Sequence, residues 1–207
     1  TLYVASASNS RLSADFLSLG SFLHFDSAEP RRICIRRLCV FFPLLGLVLN
    51  SSVIHSPANV PGELAAQDAW LRAELAKPRP DGVRHVVVFQ HHPWFLERAD
   101  EADQYFNIPL ARRAPMLDLF RSHGIRTLVS GHLHRTTEAT TDGLTSIVTG
   151  PVGRPLGGQS GFRVFVVTDT DIVSRYYAFG EMPYRVGPAP ARGQGPAGRA
   201  AGGRGPG

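Results

Sequence analysis

At 207 residues and 43% hydrophobic content, the chain has room for one domain and enough apolar material to bury a core. Its formal charge of +5 points towards nucleic acid or an anionic membrane only until the charge is located. Residues 51–184 hold 13 Arg/Lys against 14 Asp/Glu, so the basic excess lies in the flanks, and nucleic-acid binding is discounted.

The chain begins at Thr1, and its methionines are Met116 and Met182, so a fragment or a processed product is expected. Residues 1–44 carry Ser-rich and Arg-rich stretches without clear periodicity and read as a segment foreign to the rest of the chain. Cys34 and Cys39 make a poor disulfide framework, and free thiols in a reducing, cytoplasmic setting are expected. The apolar run Leu38 to Leu49 is twelve residues, against about 20 for a spanning helix. Arg36 and Arg37 precede it and Pro43 interrupts it, so a buried strand is preferred to a signal-anchor.

Glu63 to Lys77 predicts a helix, with Leu64, Leu71 and Leu75 on one face and Pro78 as its stop. Arg84 to Gln90 (RHVVVFQ) predicts a buried parallel strand that leaves into His91-His92-Pro93-Trp94. Ala111 to His123 predicts a second helix, with Leu117 and Phe120 inward and Gly124 as cap. Ile125 to Ser130 predicts another strand, running into Gly131-His132-Leu133-His134. Two hairpins come next, Thr136–Thr141 with Leu144–Thr149 about Asp142-Gly143, and Arg163–Thr168 with Ile172–Ala178. The tail from Val186, rich in Gly, Pro, Ala and Arg, is expected to be disordered. The fold class is therefore α/β, β-α-β-α-β followed by antiparallel hairpins.

Gly131-His132-Leu133-His134 is the sharpest chemical signal. If the segment is extended, His132 and His134 point to one side, and neutral imidazole suits Zn, Fe, Ni or Cu. His-x-His alone is weak. His91 also ends an apolar strand, and two strands of one sheet would deliver three histidines to one edge, which favours a metal site. Among weaker candidates, Trp94, Phe95, Tyr105 and Phe106 read as loop aromatics packing on the domain or as a substrate mouth. Arg98 to Asp103 reads as a solvated charged loop, and Arg112-Arg113 as an exposed helix start rather than a phosphate contact.

The string VVVFQHHPW, then a helix, then a strand ending GHLH, resembles the last two motifs of the calcineurin-like metallophosphoesterases. Gln67-Asp68-x-Trp70-Leu71-x-x-x-Leu75, after Val48-Leu49-Asn50, resembles the helix that precedes them. The nearest branch is the small animal serine/threonine phosphatases related to purple acid phosphatases. The resemblance covers 45–184 and implies a partial phosphoesterase sandwich whose N-terminal half is missing, flanked by a non-matching 1–44 and a tail, 185–207. It implies metal-dependent hydrolysis of phosphomonoesters in phosphoproteins or small molecules. By resemblance, His91 and His132 bind one divalent metal and His134 another, as metal and catalytic residues. His92 falls where the family varies and receives no role.

The family's earlier motifs, Asp-x-His, Gly-Asp-x-x-Asp and Gly-Asn-His, are not found in residues 1–60. Asp15 and Asp26 lack the right followers, and His24 and His55 lack Asn or Asp neighbours. Two metals without a bridging carboxylate would repel, so at most one Zn, Mn or Fe ion is expected here. Two functions are compatible with this pattern: an active hydrolase, or a truncated, inactive isoform that binds one metal or a partner. The second is preferred, as a monomer. A membrane-anchored interaction protein rests only on residues 31–49.

Overall fold

The computed structural model describes residues 2–8, 11–15, 37–41 and 43–181, the first three segments as backbone. Among the described residues there are, besides a short 3-10 helix at Pro57–Asn59, ten strands and three α-helices. In chain order they are β1 (Leu2–Ser8), β2 (Arg11–Asp15), β3 (Arg37–Phe41) and β4 (Leu44–Val48), then α1 (Ser51–His55), α2 (Pro61–Ala76) and β5 (His85–Phe89). Next come α3 (Leu110–Ser122), β6 (Thr127–Ser130), β7 (Thr137–Thr141), β8 (Leu144–Val148), β9 (Gly161–Val167) and β10 (Ile172–Ala178). One sheet has the order β3-β4-β5-β6-β8-β7, the other β10-β9-β1-β2.

The run VVVF in β5 is apolar at every position because both faces of its sheet are covered. Val86 and Val88 join Leu45, Leu47, Leu71, Leu117 and Phe120 in a core beneath the helices. Val87 and Phe89 point the other way, with Leu44, Val129 and Ile147, onto Phe165 and Val167 of the second sheet. Helices therefore cover one face of the large sheet and the small sheet covers the other. Strands β4, β5, β6 and β8 run parallel, so the ends of β4, β5 and β6 open on one edge.

The apolar run 38–49 is two strands rather than one. Pro43 lies between β3 and β4, which pair antiparallel from Arg37 opposite Val48 to Phe41 opposite Leu44. Residues 1–44, which show no clear periodicity, also supply β1, paired parallel with β9. Helix α2 starts earlier than its apolar spacing suggests, with Pro61 at its first position. The β7–β8 turn places Asp142 and Gly143 at φ of 51° and 73°, the left-handed pair that a two-residue hairpin needs. Gly124, at φ 69°, ends α3 as expected, and the amide of Ile125 reaches back to the carbonyl of Phe120. Among the described residues no helix is long and apolar enough to cross a membrane. Cys34 and the tail beyond residue 181 lie outside the described residues.

Candidate metal centre

Strands β5 and β6 are in parallel register, Phe89 opposite Val129, so the residues after them emerge at one level. The amide of Gln90 donates to Val129 O, and that of Gly131 to His91 O, which stitches the two exits together. His91 Nε2 and His132 Nδ1 lie 3.0 Å apart. His92 completes a trio with one ring nitrogen each, all within 4.8 Å of one another. No carboxylate joins it among the described residues.

The Gly131–His134 segment is not extended. His132 and His134 sit at φ of 70° and 53°, left-handed values that cost strain in a residue with a Cβ. The glycine of the motif has no such φ, and a Cβ built on it would meet open space. The bend is a tight turn centred on His132, closed by the amide of Leu133 donating to Gly131 O, with the Leu133 side chain buried. His132 turns to His91, and His134 stands outside the trio, its Nδ1 2.9 Å from Arg154 O. A carbonyl only accepts, so Nδ1 of His134 carries a proton, and in the neutral form of the ring the lone pair lies on Nε2. Metal-binding histidines are commonly held in this form. His91, His132 and His134 still line one cavity of about 190 Å³, with Gln90, Ser130 and Thr149. Its wall includes buried polar atoms without partners: Gln90 Oε1, Ser130 Oγ and His132 Nε2.

Two contributors escape sequence reasoning, both just beyond β4. Ser51, buried at the start of α1, accepts from the amides of His91 (3.1 Å) and His92 (2.8 Å), with its Oγ 3.0 Å from His92 Nδ1. His55, from the same short helix, stacks on His92 at 4.8 Å between ring centroids and 20° between planes. The only sequence signal for either is a serine directly after the Asn that closes an apolar strand. Gln67 of α2 holds that Asn50 from both sides, accepting from its N–H and donating to its carbonyl.

Crowding keeps these rings neutral. Loss of water lowers the pKa of His91, although one edge faces solvent, and the charge of His134 lowers it further. Burial, followed by His132, His91 and His55, lowers His92 to about 4. Burial, then His91, His55 and His134, lowers His132. Neutral rings offer the lone pairs that a divalent cation requires.

The loop after His92 is framework. Trp94 and Phe95 are core residues, whereas Tyr105 is 77% exposed with its ring 6.0 Å from that of His132. Arg113 is buried, not an exposed helix start, and donates to the carbonyls of Trp94, Ile108 and Glu101. Within the charged loop, only Arg98 and Asp100 form the expected solvated pair. Glu101 accepts from the amides of Leu96, Glu97 and Arg98 and from Asn107, and Asp103 accepts from the amide of Leu110.

The chain is 40% identical over 142 residues to serine/threonine-protein phosphatase CPPED1 of Rattus norvegicus, covering 68% of this chain and 46% of that protein. The Homo sapiens CPPED1 is 40% identical over 141 residues, 67% of this chain and 45% of the relative. A cAMP/cGMP dual specificity phosphodiesterase of Mycobacterium tuberculosis is 33% identical over 131 residues, 58% of this chain and 38% of that protein. This chain thus spans about half the length of the phosphatases it matches. No protein-family model matches it.

Proposed function

We infer, from the place of its matched segment among the calcineurin-like phosphoesterases, that this chain carries the histidine side of a metal-dependent phosphomonoesterase site. His91 and His132 would hold one divalent cation, with His134 as a further ligand position. The observation that carries this reading is the 3.0 Å approach of His91 Nε2 to His132 Nδ1 at the ends of adjacent parallel strands. Two ring nitrogens at that separation are spaced as neighbouring ligands of one ion, whose bonds to nitrogen are about 2.0–2.1 Å. The tautomer of His134 suits it to the same task. A divalent cation there would polarise a phosphoryl oxygen and offset the charge of the transition state.

The substrates would be phosphoserine or phosphothreonine in proteins, or small phosphoesters, by analogy with the phosphatases it matches. The absence of a carboxylate from the cluster, among the described residues, favours one ion rather than two and slow hydrolysis. The same absence supports a second reading, a metal- or partner-binding module without turnover. Hydrolysis of an aryl phosphate and of a phosphoserine peptide, with Mn²⁺, Zn²⁺ or Fe²⁺, separates the two. Slow metal-dependent release of phosphate, abolished by His132→Ala, supports the esterase. No release above a blank, with one ion bound, supports the module.

A further inference from the structure

Ser51 Oγ has three polar neighbours, and the count of its hydrogens decides what His92 is. Two neighbours are the amides of His91 and His92, which can only donate. They fill both lone pairs of the hydroxyl. The third is His92 Nδ1 at 3.0 Å, and the single hydroxyl hydrogen is left for it. Nδ1 therefore accepts, and assignment from the hydrogen-bond network puts the proton of neutral His92 on Nε2. His134 is the reverse, with Nδ1 donating to a carbonyl and Nε2 free.

We propose that His92 is a hydrogen-bond donor to a bound phosphoryl oxygen, through Nε2–H, and not a metal ligand, and that Ser51 is the positioning residue that fixes this tautomer. The proposal deepens the phosphoesterase reading and rests on it for the identity of the anion. His92 has the right place for the role. Its ring centroid is 5.0 Å from that of His91 and 4.4 Å from that of His132. An anion drawn to a cation at those two residues would meet the third ring. Its plane is pinned twice, by Ser51 and by the stacked ring of His55. A donor fixed before the substrate arrives costs no reorganisation, the property that makes oxyanion donors effective. The proximity of three nitrogens would otherwise suggest three equal ligands; the proton on Nε2 separates His92 from the other two.

Long-range ¹H–¹⁵N correlation of the uniformly labelled, metal-free chain near pH 7 reads each tautomer without any activity. We expect His92 with Nδ1 unprotonated and Nε2 protonated, and His134 with the opposite pattern. Ser51→Ala should average the two His92 nitrogens, whereas Ser51→Thr, which keeps the hydroxyl, should retain the parent pattern. A protonated Nδ1 in the parent chain overturns the proposal. A Co²⁺ titration is the second measurement, with circular dichroism to establish that each variant folds. His92→Ala should keep the parent's affinity for Co²⁺, whereas His91→Ala should lose tenfold or more, on the order of a lost ligand contact. Inorganic phosphate should bind the Zn²⁺-loaded His92→Ala chain about tenfold more weakly, on the scale of one hydrogen bond to a charged group. Loss of Co²⁺ affinity in His92→Ala equal to that in His91→Ala overturns the proposal. A chain that binds no metal at all would sink the esterase reading, and the tautomer measurement would still decide the state of His92.

Discussion

His91 Nε2 and His132 Nδ1 approach to 3.0 Å across 41 positions of sequence. The parallel register of β5 and β6 brings the two residues to one level, and the left-handed turn at His132 swings its ring across. Without a metal, one ring must donate its proton to the other, since two facing lone pairs would repel. A cation that replaces that proton would find both nitrogens already facing one point.

Metal uptake should therefore depend on this pair. His91→Ala and His132→Ala should each lower Zn²⁺ or Co²⁺ affinity tenfold or more, the scale typical of disturbed metal sites. The parent chain should take up no more than one tightly bound divalent ion. Elemental analysis after desalting measures the stoichiometry, and two ions per chain would contradict it.

Acid should weaken the folded state through the same rings. His91, His92 and His132 all have folded pKa values below the ordinary 6.5, His92 at about 4. Between those values the unfolded chain binds more protons than the folded one, so stability rises with pH across the window. The contribution is complete above about pH 6.5 and is lost as pH falls through the folded values, near 4 for His92. Thermal melts of the metal-free chain from pH 4 to 7.5 should show this slope. His92→Gln, which removes one titrating ring, should flatten it. Equal slopes in the parent and the variant would count against the shift.

The strands were legible because their composition answers to burial. VVVF can only sit between two covered faces, and Asp142-Gly143 can only turn. The histidines were legible as strand exits, but their directions were not. Period-two alternation places His132 and His134 on one side, and the left-handed backbone at both histidines turns them apart instead, with Leu133 buried between them. Ser51 and His55 come from a third strand end, 40 positions away for the Ser51–His91 bond. No local pattern reports a contact of that range. Arg113 departs from expectation for a related reason: its charge suggests solvent, but the side chain is buried and donates to three carbonyls of the preceding loop, with its Nε left unpartnered.

That guanidinium should be costly to remove. Arg113→Ala leaves the carbonyls of Trp94, Ile108 and Glu101 without their donor in a buried setting. A loss of about 2–4 kcal/mol is expected, above the usual surface substitution and within the range for broken buried networks. Arg112→Ala, one residue earlier and partly exposed, should cost far less. Urea denaturation of both variants provides the comparison, and equal midpoints would remove Arg113 from the framework.

The chain should hydrolyse phosphomonoesters slowly or not at all, because of what surrounds the histidines rather than the histidines themselves. Among the described residues the metal-capable group holds only imidazoles, whose lowered pKa values leave them neutral at pH 7. Two dications about 4 Å apart repel by about 4 kcal/mol even in water, and by more in a site of lower dielectric. Neutral ligands do nothing to offset that repulsion, so a second ion has no reason to stay. With one ion, the phosphoryl group loses a clamp on one side of an in-line displacement. A single positioned donor can be worth about 10²–10³ in rate, and the loss of several need not simply multiply, because groups that act as a unit fail together. A chromogenic aryl phosphate assayed with Mn²⁺, Zn²⁺ or Fe²⁺ measures the residue of activity. His134→Ala, which removes the further ligand position but leaves the His91–His132 pair, should lower so low a rate less than His132→Ala does. Rapid turnover that survives purification and disappears in His134→Ala would show that carboxylates reach the site from elsewhere, from outside the described residues or from a second chain.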